Sequence, residues 1–137
     1  MAIDNKKSAM KQILICDDSR LSRKMISDII KPLNLNIIYA TNGKEAMSLI
    51  SSQKVDCILL DLLMPEMDGF EVLSNLNKAG ISTPVIVISS DVQDTTRQKC
   101  LSLGAFNLLN KPPKEGELIK ALQTIMVFQK EKNNESQ

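Results

Sequence analysis

An α/β fold, with a mainly parallel sheet covered by helices on both faces, is predicted by three features of the 137 residues. Short apolar runs alternate five times with longer segments of helical period, the signature of successive strand–helix–strand units. The first, third and fourth runs are apolar almost throughout, as central strands covered on both sides must be. Ionisable and hydroxyl residues cluster just after the strand-like runs, where an open α/β sheet binds its ligands. The length suits one domain with a core of its own.

The elements follow in order. Ile13 to Cys16 is the first strand; Leu21, Met25, Ile26, Ile29 and Ile30 then share one helix face, which Pro32 closes. Ile37 to Ala40 is the second strand. Asn42 reads as the N-cap of the second helix, with Glu45 three residues on and Ala46, Leu49 and Ile50 behind it. Val55 to Leu60 is the third strand, and its helix runs from about Phe70 to Ala79 before Gly80. Val85 to Ile88 is the fourth, followed by a polar helix from about Val92 to Leu103 that Gly104 stops. Phe106 to Leu109 is the fifth, and its Asn107 and Asn110 mark an edge strand. The last helix carries Leu118, Ala121, Leu122 and Ile125 at i, i+3, i+4 and i+7. The domain is thereby expected over residues 11–129, between a flexible arm (1–10) and a polar tail (130–137).

Composition removes several classes of chemistry. The chain has no histidine, so no Ser-His-Asp or Cys-His unit and no mixed Cys/His zinc site arises from it alone. A net charge of +1 and four aromatic residues offer neither field nor stacking platform for nucleic acid. Cys16, Cys57 and Cys100 are too few and too far apart for a disulfide framework and read as buried thiols in a reducing compartment. With no apolar run near the ~20 residues that span a bilayer, a soluble, cytoplasmic protein is expected.

The residues that follow each strand carry the functional signal. Asp17 and Asp18 follow the first, Asp61 the third, Ser89, Ser90 and Asp91 the fourth, and Lys111-Pro112 the fifth. Singly, each has a plainer reading: Asp17 to Ser19 as a helix cap, Asp61 as a turn residue, Ser89-Ser90 as a cap, Lys111 as a solvated lysine. Independent capping does not explain why charge falls at the same end of four strands. Three converging carboxylates are tenable only with a cation among them, and an oxygen-only donor set points to Mg²⁺, or Mn²⁺ in its place. Such an ion beside a lysine and a hydroxyl suits a phosphoryl group, attacked in line by a carboxylate.

These residues resemble the receiver domain of two-component response regulators, in particular the single-domain chemotaxis type. The resemblance covers Lys11 to Gln129 and rests on Ile15-Cys16-Asp17-Asp18-Ser19, the run from Leu59 to Gly69, Pro84 to Ser90, and Lys111-Pro112. It implies a flavodoxin-like, doubly wound, five-stranded parallel sheet in the order 2-1-3-4-5 with five helices. It also implies that Asp61 accepts the phosphoryl group, that Asp17, Asp18, Asp61 and the Leu63 backbone carbonyl hold Mg²⁺, and that Ser89 and Lys111 bind phosphoryl oxygens, the lysine aimed by a cis Lys-Pro bond. The implied role is a switch that catalyses its own phosphoryl transfer and a slow autodephosphorylation, not an enzyme acting on a separate substrate.

Two positions depart from the family pattern. Leu108 stands where an aromatic ring usually rotates on activation; Phe106, on the same strand parity, is the one possible substitute, with core packing its plainer role. Pro113 replaces a bulky apolar residue and removes a backbone donor. Leu63 and Asp91 occupy positions that influence hydrolysis in the family, and Leu63 has no polar group to orient water, which favours slow dephosphorylation and a phosphatase partner. The expected partners are a sensor histidine kinase, read through Arg20, Arg23 and Lys24 on the first helix, and a downstream protein such as a motor switch, reached through helix 4, strand 5 and helix 5. The protein is expected to be monomeric. Three rivals fit less well. An aspartyl-phosphate phosphatase wants a carboxylate at Leu63, a flavin binder would meet repulsion at Asp17-Asp18, and a pseudo-receiver would not keep every key position.

Overall fold

The computed structural model describes residues 10–135, so all but the last residue of the expected arm (1–10) and the final two residues of the tail lie outside the described residues. The five strands are β1 (Gln12–Cys16), β2 (Asn36–Ala40), β3 (Cys57–Leu60), β4 (Val85–Ser89) and β5 (Asn107–Asn110). They form one sheet in the order β2-β1-β3-β4-β5, every neighbouring pair parallel. The helices are α1 (Arg20–Ile30), α2 (Gly43–Ser52), α3 (Gly69–Lys78), α4 (Asp94–Ser102) and α5 (Glu115–Glu135). The expected doubly wound fold is the observed one.

Strand alternation divides the interior into two cores, one on each face. Ile13 and Ile15 of β1, Leu59 of β3 and Ile86 and Ile88 of β4 pack with Ile26 and Ile30 of α1 and with Leu118, Leu122 and Ile125 of α5. The intervening residues, among them Leu14, Ile58, Leu60 and Val87, face Ala46 of α2, Val72, Leu73 and Leu76 of α3, and Cys100 of α4. Burying so many whole aliphatic side chains, at roughly 1.5–3 kcal/mol each, is what holds the sheet between its helices. Helix starts follow the residues that cap them: the side chains of Ser19, Asn42 and Asp68 accept the backbone N–H of Ser22, Glu45 and Glu71.

Several expectations need correction. Leu21 and Met25 share the apolar stripe of α1 yet are 68% and 41% exposed, lining an open cleft with Lys111, Pro112 and Pro113 instead of joining the core. β3 begins at Cys57, not Val55, because Asp56 is used otherwise: its carboxylate accepts the N–H groups of Lys11 and Gln12 at 2.8 and 3.0 Å. Its own carbonyl accepts Gln129 Nε2 at 3.1 Å, so Asp56 clips the start of β1 to the later turns of α5. Phe106 is not a core residue; it precedes β5 and is 39% exposed. Met10, assigned to the arm, is fully buried in the α1/α5 core, and α5 continues as helix to Glu135 through residues assigned to the tail. The three cysteines are buried and unpaired. Among the described residues no helix is long and apolar enough to cross a membrane.

Candidate functional site

The sheet's hydrogen bonding runs one residue past the strand ends, and that places the polar cluster. Asp17 N–H donates to Ala40 O at 3.0 Å, Asp61 N–H to Cys16 O at 2.9 Å, and Lys111 N–H to Ser89 O at 3.0 Å. Asp17 and Asp61 are therefore held with the stiffness of a ladder though they stand outside it. Gly69, which opens α3, lies against this edge so closely that a Cβ there would sit 2.5 Å from the Asp61 carbonyl oxygen.

Asp17, Asp18 and Asp61 each offer a carboxylate oxygen within 4.8 Å of the others. Asp17 and Asp61 are 2% and 5% exposed, whereas Asp18 opens to solvent. Lys111 reaches across from the end of β5, its Nζ 3.0 Å from Asp17 Oδ2 and 3.3 Å from Asp61 Oδ2. The Lys111–Pro112 peptide is cis. Burial and the neighbouring Asp17 charge push the Asp61 carboxyl above its ordinary value, against the pull of Lys111 and the Leu63 N–H. Burial would lower the Lys111 ammonium, but its hydrogen bond and charge contacts with Asp17 and Asp61 win and raise it. Cys16, behind the cluster, is pushed up to about 12 by burial and by the same carboxylates, so it stays an inert thiol.

One lysine offsets one of the three carboxylates and leaves two negative charges in a largely buried, oxygen-only cluster. That charge, and the hardness of the donors, fit a divalent cation such as Mg²⁺. A site of this kind can neutralise an anion brought to it and still present a carboxylate as nucleophile.

The remaining expected residues are placed as follows. Ser89 is 3% exposed at the end of β4, and its hydroxyl oxygen accepts the Asp91 N–H at 3.1 Å, a bond internal to the β4–α4 loop. Asp91 in turn ties that loop together, accepting Thr96 Oγ1 at 2.7 Å and Gln93 N–H at 3.1 Å. The hydrogen bonds from Thr96 and then Gln93 hold its carboxyl below the ordinary value. Leu63 donates its N–H to Asp61 Oδ1 at 3.4 Å and leaves its side chain 77% exposed. Leu108 is buried against the α2/α3/α4 side.

Two residues escaped the sequence reading. Ser22 Oγ donates to Asp17 Oδ2 at 2.6 Å, and Arg23 Nη1 donates to the Asp17 carbonyl at 2.8 Å. Arg23, expected at a kinase-reading surface, thus also touches the backbone of the site. The signal for Ser22 was its place three residues after the Ser19 cap, which turns it back over Asp17; the apolar stripe of α1 drew attention to its neighbours instead.

A buried acid cluster with a shared lysine, at the carboxyl end of a doubly wound parallel sheet, defines a site for handling an anionic group with a cation's help. The chain matches the family model for the response regulator receiver domain over residues 13–123, and it belongs to that family. It is 37% identical over 113 residues to the protein-glutamate methylesterase/protein-glutamine glutaminase of Clostridium acetobutylicum, covering 80% of this chain and 33% of that protein. It is 30% identical over 100 residues to the sensor histidine kinase RcsC of Escherichia coli, covering 73% of this chain and 10% of that one. The chain therefore spans between about a tenth and a third of these curated relatives. Among solved structures, the receiver domain of the Francisella response regulator 1452 superposes with a TM-score of 0.80 at 30% identity, covering 85% of this chain and 96% of that one. The Vibrio cholerae chemotaxis protein CheY4 does so with a TM-score of 0.77 at 28% identity, covering 85% and 99%.

Proposed function

We propose that this receiver domain is a phosphorylation-operated switch of the chemotaxis type, with Asp61 as the phosphoacceptor. The observation that carries the reading is Lys111 Nζ poised between Asp17 and Asp61 over a buried acid cluster. An Asp61 carboxylate oxygen forms the new O–P bond as the P–N bond to a kinase imidazole breaks, and the imidazole departs with that electron pair. Lys111 moves onto a phosphoryl oxygen, its charge offsetting the one that arrives. Asp17, Asp18, Asp61 and the Leu63 carbonyl would hold Mg²⁺, which supplies further neutralisation of the phosphoryl oxygens when bound.

Ser89, whose hydroxyl oxygen accepts the Asp91 N–H, then donates its proton to a phosphoryl oxygen and draws the β4–α4 loop inward. Because Leu108 has no ring to rotate, the readout falls to the loop and α4 themselves, where Cys100 is the one buried residue. The surface that changes is the cleft of about 650 Å³ among α4, β5 and α5, bordered by Arg97, Glu117 and Lys120, and the downstream protein docks there. The phosphodonor is a cytoplasmic histidine kinase, which approaches over the exposed Leu21 and Met25 and the neighbouring Pro112 and Pro113. Leu63 leaves the attacking water without a polar guide, so the adduct outlives that of a Leu63→Asn variant and a phosphatase resets it.

Incubation with acetyl phosphate and Mg²⁺ tests the central claim. One hydroxylamine-labile phosphoryl group per chain is expected, absent in Asp61→Asn and reduced at least about a hundredfold in rate in Lys111→Ala, since a charge aimed at the transition state is worth 10²–10³. A wild-type chain that forms no adduct would refute it.

A further inference from the structure

We infer that Ser22 is a positioning residue for the metal cluster: its hydroxyl fixes the Asp17 carboxylate in the orientation in which it serves a divalent cation. This rests on the reading of Asp17, Asp18 and Asp61 as the Mg²⁺ site. Each Asp17 oxygen has its own donor. Ser19 N–H holds Oδ1 at 2.8 Å; Ser22 Oγ holds Oδ2 at 2.6 Å, with Lys111 Nζ on the same oxygen at 3.0 Å. The two donors to Oδ2 differ in kind. Lys111 is shared with Asp61 and carries a charge needed elsewhere once a phosphoryl group arrives, whereas the Ser22 hydroxyl has one proton and gives it to Asp17.

The position of that hydroxyl is itself well determined. Ser22 N–H donates to the capping Ser19 Oγ at 3.2 Å, so the first turn of α1 is closed directly beneath it. A serine inside a helix commonly bonds back to the carbonyl one turn earlier. Here the short bond goes to a carboxylate five residues back. With Asp17 2% exposed, water competes poorly for its oxygens, and the carboxylate keeps the rotation that Ser19 and Ser22 impose when Lys111 leaves. Groups that orient a metal ligand in this way are worth about 10–100-fold in metal affinity when removed.

Titration calorimetry with MgCl₂ alone, on the whole chain, tests the inference without any phosphoryl chemistry. Ser22→Ala should weaken Mg²⁺ binding about tenfold, at the low end of that range because Ser19 still holds the other oxygen. Ser22→Thr, which keeps the hydroxyl, should return the affinity to within about twofold of wild type, and Asp17→Asn should be the weakest binder. Metal-free Ser22→Ala gains helix propensity but loses a hydrogen bond to a buried carboxylate and should melt no higher than wild type, so a smaller Mg²⁺-induced rise in its melting temperature is what separates positioning from a structural role. A Ser22→Ala protein that binds Mg²⁺ as tightly as wild type overturns the role of Ser22 and leaves the metal site standing. A wild-type chain that takes up no Mg²⁺ overturns the metal site, and the inference with it.

Discussion

The two halves of the carboxyl edge are built to different standards. Around β1 and β3, ladder bonds fix Asp17 and Asp61, three donors converge on one Asp17 carboxylate, and Gly69 admits backbone at a distance no side chain would allow. Around β4 and β5, the Ser89 backbone shares the ladder but its hydroxyl accepts only an N–H of its own loop, and α4 seats only Cys100 in the core, with Lys99 Nζ resting 4.0 Å from the centre of the Phe70 ring. The difference shows how a charge could be received at one place and felt at another. A rigid half fixes where the new charge sits, and a half with few buried contacts is the one whose arrangement a few kcal/mol will change.

The contrast breaks first at Gly69. Gly69→Ala forces a Cβ against the Asp61 carbonyl and the Leu62 Cα, and a loss of about 3 kcal/mol is expected in a denaturant titration. A cost below ~1 kcal/mol would mean the edge yields as readily as the α4 side.

Asp61 offers the next test. Its raised pKa in the folded chain means that the metal-free protein binds this proton more tightly than the unfolded chain does. The sign follows: the stability this contributes is complete below the ordinary value of 3.8 and is lost as pH rises through the folded value. Asp61→Asn should therefore melt above wild type at neutral pH without metal, and the gap should close as pH falls below that ordinary value. Thermal melts across the acid range that show no such convergence would remove burial and Asp17 as the dominant influences on this carboxyl.

The smallest effect belongs to the loose half. Cys100→Ala trims the one side chain that seats α4, at a cost of about 1 kcal/mol. Amide exchange should quicken about fivefold in α4 and stay unchanged in α1. Equal acceleration in both helices would dissolve the distinction between the halves.

Most of this architecture was legible in the sequence because strand residues announce their surroundings. Ile13 to Cys16, Cys57 to Leu60 and Val85 to Ile88 are apolar on both parities, which only a sheet with two covered faces explains. Asp17, Asp61 and Lys111 were legible as a set for a related reason: parallel strands bring their carboxyl ends to one edge, however far apart they lie in the chain. What periodicity does not encode is where an element ends relative to the layer beneath it. Leu21, Met25 and Phe106 have the right spacing for the core yet stay exposed, Phe106 because it falls just before β5. Ser22 was hidden by its size, since a small polar residue within an apolar stripe reads as a gap in the stripe until Asp17 is seen beneath it. Met10 and the last turns of α5 were hidden by composition, because polar neighbours say nothing of a contact made through Asp56.

The clip at Asp56 has a consequence for how such a domain travels. One residue receives the backbone of Lys11 and Gln12 through its carboxylate and the side chain of Gln129 through its carbonyl, so the point where the fold is entered and the point where it is left are tethered together. A fold with adjoining entrance and exit can be spliced into a loop of a larger host without prying either apart. The same economy suits a module whose relatives range from proteins about twice its matched length to proteins about ten times that length.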